Sequence, residues 1–259
     1  MSRVTVEDLF MDYDQAPVLE RINIDVEPST FCAIVGASGC GKSTFLRLLL
    51  SQERPSRGEI LIDGEPVAEE PTPDRGIVFQ RYSVFPHLTV TDNLVLASEF
   101  GRSAFLGRLF GSARRKARDD VADTLKSIGL WQARDRYPAQ LSGGMQQRLA
   151  IAQALLMKPK VLLLDEPFGA LDPGIRADMH EILMALWRET KMTVFMVTHD
   201  IREAFKLATR VLVFDKVRHD PDHPEAYGAT ITYDLPLDRN RAQVAALEAQ
   251  IAETTGRTQ

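Results

Sequence analysis

The sequence is poor in cysteine, in excess basic charge and in long apolar runs, and each shortage excludes a class of protein. Its two cysteines, Cys32 and Cys40, offer neither a disulfide framework nor a metal-binding spacing, which fits a reducing cytosol best. With 31 Lys and Arg against 36 Asp and Glu the net charge is −5, so duplex nucleic acid is not an expected partner. No apolar run approaches the roughly 18 residues needed to span a bilayer, and the first residues do not resemble a signal peptide. Any membrane-spanning part is therefore expected in another chain.

The 259 residues are enough to bury a substantial core, in one large domain or two lobes. Strand-like apolar runs alternate with helical ones along the chain, at residues 31–35, 76–79, 161–164, 193–197 and 211–214. This alternation predicts an α/β fold in which helices cover a parallel sheet. Residues 58–64 alternate between two glycine turns and predict a small antiparallel layer. From about 90 to 157 strand signals are lacking, which predicts a helical lobe.

A glycine-rich loop follows the first apolar run and precedes a leucine-rich helical run, the context that a phosphate-binding loop requires. The loop matches G-x-x-x-x-G-K-[ST] with Gly36, Ala37, Ser38, Gly39, Cys40, Gly41, Lys42, Ser43 and Thr44. Its glycines let backbone N–H groups and a helix N-terminus point at phosphates. Lys42 then neutralises phosphate charge, the Ser43 hydroxyl suits Mg²⁺, and the Cys40 thiol is expected against the phosphates. Kinases, GTPases and many ATPases share such a loop.

A second glycine pair opens another helix within the run L-S-G-G-M-Q-Q-R at residues 141–148. Here Ser142, Gly143 and Gly144 form a turn that also suits phosphate. One nucleotide rarely needs two such loops from one chain. Either the chain folds both loops onto one triphosphate, or two copies face each other and each lends its second loop to the other's nucleotide.

Two adjacent carboxylates end an apolar run in the sequence K-V-L-L-L-D-E-P at residues 160–167. So continuous a run predicts a parallel strand that is buried on both faces. At its end, Asp165 can hold Mg²⁺ through a water, and Glu166 can orient or deprotonate an attacking water. An isolated acid pair would more often form caps or ion pairs, but the phosphate loop favours the catalytic interpretation.

Read together, these motifs resemble the ATPase subunit of ATP-binding cassette (ABC) transporters. In chain order the pattern consists of Tyr13, the loop at 36–44, Gln80, the signature run at 141–148, Asp165 with Glu166, A-L-D-P at 170–173, and His199. The resemblance spans roughly residues 3–217, and its specificity rests on the signature run followed by D-E-P. It implies a P-loop NTPase (RecA-like) core with a parallel sheet, an antiparallel β subdomain and an α-helical signature subdomain.

The same resemblance implies roles for individual residues around ATP and Mg²⁺. Tyr13 would stack on adenine, and Gln80 would link Mg²⁺ and the attacking water to the membrane partner. His199 would contact the γ-phosphate of its own subunit. Ser142, Gly143 and Gly144 would contact the γ-phosphate held by the opposite subunit.

Within the family, the chain looks like an importer subunit, particularly of the nitrate/sulfonate/taurine group. The expected partners are a second copy of the chain, transmembrane permease subunits and, indirectly, an extracytoplasmic solute-binding protein. The expected location is peripheral, on the cytoplasmic face of the cell membrane. The run D-P-D-H-P-E at residues 220–225 hints instead at a urea-like or guanidinium-like solute, and the identity of the solute stays open. The alternative function is a soluble ABC ATPase uncoupled from transport, although such proteins normally carry two cassettes or a long coiled-coil insertion.

The expected organisation is one ABC ATPase domain over residues 1–235, with a short helical tail over 236–259. The basic segment 101–118 is expected to be a solvated helix face in preference to a contact with anionic lipid. A strand is predicted at residues 227–233. Between residues 175 and 186, apolar residues at helical spacing predict a helix whose stripe faces the core.

Overall fold

The computed structural model describes residues 2–14, 16–79, 84–102, 119, 121–169, 171–218 and 226–237. Gln80, Ala170, residues 103–118 of the basic segment, the stretch at 219–225 and the tail from 238 lie outside the described residues. The strands are β1 (Val4–Tyr13), β2 (Ala16–Val26), β3 (Phe31–Gly36), β4 (Arg57–Ile62), β5 (Glu65–Pro66), β6 (Arg75–Val78), β7 (Val161–Asp165), β8 (Thr193–Val197), β9 (Arg210–Asp215) and β10 (Thr230–Pro236).

The helices are α1 (Lys42–Leu49), α2 (Val90–Arg102), α3 (residues 121–127), α4 (Gly143–Leu156), α5 (Pro173–Thr190) and α6 (Ile201–Leu207). The chain divides into two compact units. The first comprises the described residues up to 72, residues 163–166 and those from 191 onward, and the second comprises residues 73–162 and 167–190. Among the residues described, no helix combines the length and the apolar character that a bilayer crossing requires.

The first unit contains a four-stranded sheet in the order β2-β1-β4-β5 and, from a larger sheet, the strands β10-β9-β3-β8-β7 in that order. Strand β3 pairs in parallel with both β8 and β9. Phe31 to Val35 are all buried, as expected of a central strand with both faces covered. The predicted parallel sheet and the antiparallel layer at β4 are therefore confirmed.

The long hairpin of β1 and β2 is absent from the sequence-based prediction. Strand β1 begins with Val4 and Val6 buried, but its register with β2 shifts between Val6 and Leu9. Asp8, at this irregularity, has φ of 44°. The shift moves the buried positions to Leu9 and Met11, out of phase with the first pair. A simple two-residue alternation therefore breaks in the middle of the strand, which hides it in the sequence.

Strand β10 corresponds to the run predicted at 227–233 but lies three residues further along the chain. Its antiparallel register with β9 runs from Thr230 opposite Asp215 to Pro236 opposite Arg210. Before the strand, the Arg218 guanidinium lies over the Tyr227 ring, with Arg218 Cζ 4.3 Å from the ring centroid. The prediction was wrong at both ends because pairing with β9, and not local β-propensity, sets them.

The second unit has a helical core, which confirms the predicted helical lobe. Buried apolar residues of α2, α3 and α4 form one cluster, including Val90, Leu94, Val121, Leu125 and Leu149. Within it, the fully buried Asn93 donates to three backbone carbonyls and accepts from Gln153, so its polar groups are paired. In α5, Met179 and Leu183 are buried, as the helical spacing predicts.

Helix α1 and the loop before it are held close to the larger sheet. Phe45 of α1 is fully buried, and its ring contacts those of Phe195 and Phe214 at centroid distances of 6.2 and 5.4 Å. At the start of the loop, a Cβ on Gly36 would lie 2.1 Å from the backbone oxygen of Phe214. Only glycine allows the loop to pass so close to β9.

This close approach predicts that Gly36→Ala is strongly destabilising, because the new methyl group meets backbone that cannot turn away. We expect the free energy of unfolding, measured with urea, to fall by about 1–3 kcal/mol or more. The matched control is Gly174→Ala in α5, where an added Cβ meets nothing within 4 Å and helix propensity favours alanine. Equal stability of the two variants would contradict this constraint.

Candidate nucleotide-binding site

The phosphate loop joins β3 to α1, and Lys42 is the first residue of the helix. Gly41, the N-cap, is left-handed with φ of 81°, and a Cβ there would lie 2.7 Å from Leu19 Cδ2. Lys42 is only 8% exposed, and its Nζ donates to the carbonyl oxygens of Gly36 at 2.9 Å and Ala37 at 2.6 Å. The loop therefore keeps a desolvated cation beside its own backbone, where a phosphate can exchange for the carbonyls.

The Cys40 thiol, which the sequence predicts to lie against the phosphates, is buried beside Lys42 in the phosphate loop. Cys40 is 3% exposed, and its Sγ lies 3.6 Å from Lys42 Nζ. Burial raises the pKa of the thiol, although Lys42 opposes the shift. A buried thiol of raised pKa reacts poorly with thiol reagents.

Ser43 and Asp165 meet although they are far apart in the sequence. The Ser43 hydroxyl donates to Asp165 Oδ1 over 3.1 Å. In the larger sheet β8 lies between β3 and β7, and the Ser43–Asp165 bond shows that the end of β7 reaches the phosphate loop. A hydroxyl and a carboxylate at this separation are hard oxygen ligands of the kind that Mg²⁺ prefers.

Glu166 and His199 form a second polar pair. The Nδ1 of His199 lies 3.4 Å from Glu166 Oε2, and the His199 side chain is two-thirds exposed. Glu166 leaves the strand in a left-handed conformation with φ of 47°, and its N–H donates to the carbonyl of Val197. Such a backbone costs on the order of 1–3 kcal/mol in a non-glycine residue and is concentrated at functional sites.

A buried hydrogen-bond network holds the turn that presents His199, and the sequence analysis does not identify it. Thr198 Oγ1 donates to the buried carboxylate of Glu203 over 2.7 Å and accepts from the N–H of Asp200. Asp200 caps α6 by accepting from the N–H of Glu203. The D-x-x-E spacing of a capping box is the sequence signal that could have identified this network.

Tyr13, the phosphate loop and the Glu166–His199 pair surround one cavity of about 500 Å³ in the first unit. Its lining consists of Tyr13, Val18, Gly36, Ser38, Gly39, Gly41, Lys42, Ser43, Thr44, Glu166 and His199. The cavity has an aromatic ring, a phosphate loop and an acid–imidazole pair, which suits a nucleoside triphosphate. Asp165 reaches it through Ser43, whereas Gln80 lies outside the described residues.

The signature run lies in the second unit, where it forms the beginning of α4. Ser142 is the N-cap, and its Oγ accepts from the N–H of Met145 over 3.4 Å. Ser142 and Gly143 are exposed, whereas Gly144 is buried and a Cβ there would lie 2.9 Å from Ile175 Cγ2. Gly144 thus serves packing against α5, and the exposed pair is free to meet a ligand at the helix N-terminus.

Burial raises the pKa of the Asp165 carboxyl, with the neighbouring Glu166 adding to the shift and the Ser43 hydroxyl opposing it. A carboxyl whose pKa in the folded state lies above its unfolded value binds its proton more readily when folded. Wild-type stability therefore falls as the pH rises through the Asp165 titration range, which begins near the unfolded value of 3.8.

We expect Asp165→Asn to be at least as stable as wild type towards urea at pH 7 without nucleotide. The difference in the free energy of unfolding between variant and wild type should shrink towards pH 4, where the wild-type carboxyl takes up its proton. MgATP should protect the variant from heat much less than it protects wild type. A variant that is less stable than wild type by the same margin at pH 4 and pH 7 would show that the charge does not destabilise the fold.

Comparison with known proteins places these features in a family. The model of the ABC transporter family matches residues 19–169. The nitrate import ATP-binding protein NrtD of Synechococcus elongatus is 41% identical over 232 residues, which are 89% of this chain and 78% of that protein. The bicarbonate transport ATP-binding protein CmpD of Synechocystis is 37% identical, over 92% of this chain and 82% of that protein.

A solved dimeric structure is also similar: that of the ATP-binding cassette MJ0796 in a post-hydrolysis state, bound to ADP and Pi. It matches with a TM-score of 0.73 and 28% identity, over 91% of this chain and 99% of that chain. The chain therefore belongs to the ABC transporter family and is one of its ATPase cassettes.

Proposed function

We propose that this chain is the ATP-hydrolysing subunit of an importer and drives the uptake of a small oxyanion through a separate permease. The observation that carries the proposal is one cavity lined by residues of the phosphate loop and by the Glu166–His199 pair, with Asp165 hydrogen-bonded to Ser43. The import function rests on similarity to the proteins named for nitrate import and bicarbonate transport. A soluble ATPase uncoupled from transport is not favoured by these relatives.

The loop and the Ser43–Asp165 pair are suited to hold MgATP. Lys42 would exchange its bonds to the Gly36 and Ala37 carbonyls for phosphate oxygens. The Ser43 hydroxyl and the Asp165 carboxylate would hold Mg²⁺, which neutralises charge on the phosphates. Among the described residues no three His, Cys, Asp or Glu side chains cluster as a metal cage. Mg²⁺ at phosphate sites commonly uses one or two protein ligands with water and phosphate oxygens, so the donor set fits.

Glu166 is the residue we assign to the attacking water. Asp165 is hydrogen-bonded to Ser43 and Glu166 lies beside His199, so one acid is available for the metal and the other for water. His199, beside Glu166, would contact the γ-phosphate from the same subunit. Gln80 would join the metal and the water to the permease side, a role given only by the family resemblance.

A second copy of the chain would complete each site. The N-terminus of α4 carries exposed Ser142 and Gly143, and unpaired N–H groups at a helix start favour an anion. The similar MJ0796 cassette is described as dimeric, which supports this arrangement. The signature of one copy would then face the γ-phosphate bound by the phosphate loop of the other.

Two variants of Ser142 test this arrangement without removing the helix cap. Asp and Asn are both good N-caps, so Ser142→Asp and Ser142→Asn differ mainly in charge. Like charges about 4 Å apart repel by about 1 kcal/mol in water and about 4 kcal/mol at a protein surface. We therefore expect the Asp variant to lose roughly five- to a thousandfold in ATPase rate and to fail in ATP-dependent dimerisation.

The Asn variant should keep most of the activity, and both variants should bind ATP in their own phosphate loops as wild type does. Calorimetric binding and ATPase assays distinguish the two effects. Equal activity of the Asp and Asn variants would place the signature away from the γ-phosphate. Gly144→Asp is less informative because the close approach to Ile175 makes misfolding the simpler outcome.

The chain would lie at the cytoplasmic face of the membrane, bound to permease subunits that receive solute from an extracytoplasmic binding protein. Nitrate, bicarbonate, sulfonates and taurine share an oxyanion group, which is the solute chemistry we propose. The test is to purify the chain with its permease from membranes and reconstitute the complex with the binding protein. Nitrate, bicarbonate or taurine should stimulate ATP hydrolysis, whereas stimulation by urea alone would contradict the proposed solute.

A further inference from the structure

Tyr13 lies at the end of the β1–β2 hairpin, at the edge of the nucleotide cavity. It is the last residue of β1 and pairs with Ala16 across the turn. The residue is 40% exposed and borders the nucleotide cavity. A ring in this position would lose rotational freedom on stacking with a base, which lowers affinity unless the ring is fixed beforehand.

The Tyr13 hydroxyl is fixed by Glu53, a residue outside every motif of the sequence analysis. The hydroxyl donates to Glu53 Oε2, and Arg47 Nη1 donates to Glu53 Oε1 over 3.2 Å. Glu53 is well sheltered, with 23% of its side chain exposed. Both oxygens of one carboxylate are thus engaged, and hydrogen bonds to an ionised group are among the stronger ones.

The same contacts connect Tyr13 to the phosphate-loop helix. Arg47 belongs to the last turn of α1, the helix that begins with Lys42. Burial and the bond to Glu53 raise the pKa of Tyr13, so the phenol remains a protonated donor at neutral pH.

We propose that Glu53, braced by Arg47, is a positioning residue that holds the Tyr13 ring ready for the adenine base and ties base recognition to the phosphate-loop helix. The inference rests on the proposed function, in which Tyr13 stacks on adenine. Glu53 itself contacts no part of the nucleotide in this account. Its effect should therefore appear in the affinity for ATP and depend entirely on the Tyr13 hydroxyl.

The experiment measures MgATP affinity and steady-state ATPase kinetics for variants of the full chain. Ordering one aromatic side chain is worth roughly a threefold to tenfold change in affinity. Glu53→Ala should raise Kd and KM for ATP by that factor and leave kcat within about twofold. Glu53→Gln, which retains an acceptor, should lose less. Tyr13→Phe, which keeps the ring but lacks the hydroxyl, should match Glu53→Ala.

Three controls separate positioning from other effects. Adding Glu53→Ala to Tyr13→Phe should cause no further loss, because the shared bond is already gone. Binding of magnesium tripolyphosphate, which has no base, should be the same in Glu53→Ala and wild type. Glu69→Ala removes a carboxylate that is paired with Arg54 away from the nucleotide cavity, and it should leave ATP affinity unchanged.

The possible failures are distinguishable. Tyr13→Ala should weaken ATP binding about tenfold to a hundredfold, because stacking on the base is lost. If ATP binding is unchanged, Tyr13 does not stack on adenine, and both the proposed role of Tyr13 and the inference about Glu53 are overturned. If Tyr13→Ala weakens binding but Glu53→Ala does not, the inference alone is overturned. A Glu53→Ala loss that persists in the Tyr13→Phe background, or that extends equally to tripolyphosphate, also overturns it.

Discussion

The close approach of the phosphate loop to strand β9 at Gly36 is the constraint on which the site depends. The loop leaves β3 where a side chain would collide with the Phe214 backbone, and it returns into α1 through Gly41 in a left-handed conformation. Phe45 then anchors the helix through its contacts with Phe195 and Phe214. These fixed ends hold the Lys42 ammonium and the Ser43 hydroxyl at one edge of the sheet. The carboxylate of Asp165 reaches the same edge from β7.

The site contains groups whose burial or backbone conformation is unfavourable and whose chemistry suits a charged ligand. Lys42 is nearly buried, the pKa of Asp165 is raised by burial, and Glu166 has an unfavourable backbone conformation. The last two features lower the stability of the nucleotide-free protein, and in the proposed function all three groups have partners of the right chemistry in MgATP. Preorganised groups of this kind stabilise charge that develops during phosphoryl transfer without having to reorganise.

The sequence predicts the buried central strands of the fold better than the irregular strand β1 and the ends of β10. Strands such as β3, β7 and β8 are apolar throughout because they are covered on both faces, so they can be identified without tertiary information. The irregular β1 conceals its alternation at Asp8, and the limits of β10 depend on pairing with β9. Long-range pairing decides both features, and local propensity carries little information about it.

For the candidate site, motifs predict residue types but not side-chain directions or supporting contacts. Tyr13, most of the phosphate loop, Glu166 and His199 line one cavity, whereas the Cys40 thiol is buried beside Lys42. Glu53, which contacts Tyr13, is 40 positions away in sequence and belongs to no motif. Glu203 is only four residues after His199 in the sequence. Its hydrogen bond to Thr198, the residue before His199, becomes evident only in the folded turn.

The central claim is that two copies of the chain enclose ATP and that Glu166 activates the attacking water. Light scattering of Glu166→Gln with and without MgATP tests it most directly. Losing a positioned base should slow hydrolysis about a hundredfold to ten-thousandfold, while Lys42, Ser43 and Asp165 still bind MgATP. The account predicts that the variant accumulates as an ATP-bound dimer, whereas wild type returns to monomers after hydrolysis. A variant that binds ATP tightly but stays monomeric, or that hydrolyses ATP at the wild-type rate, would contradict it.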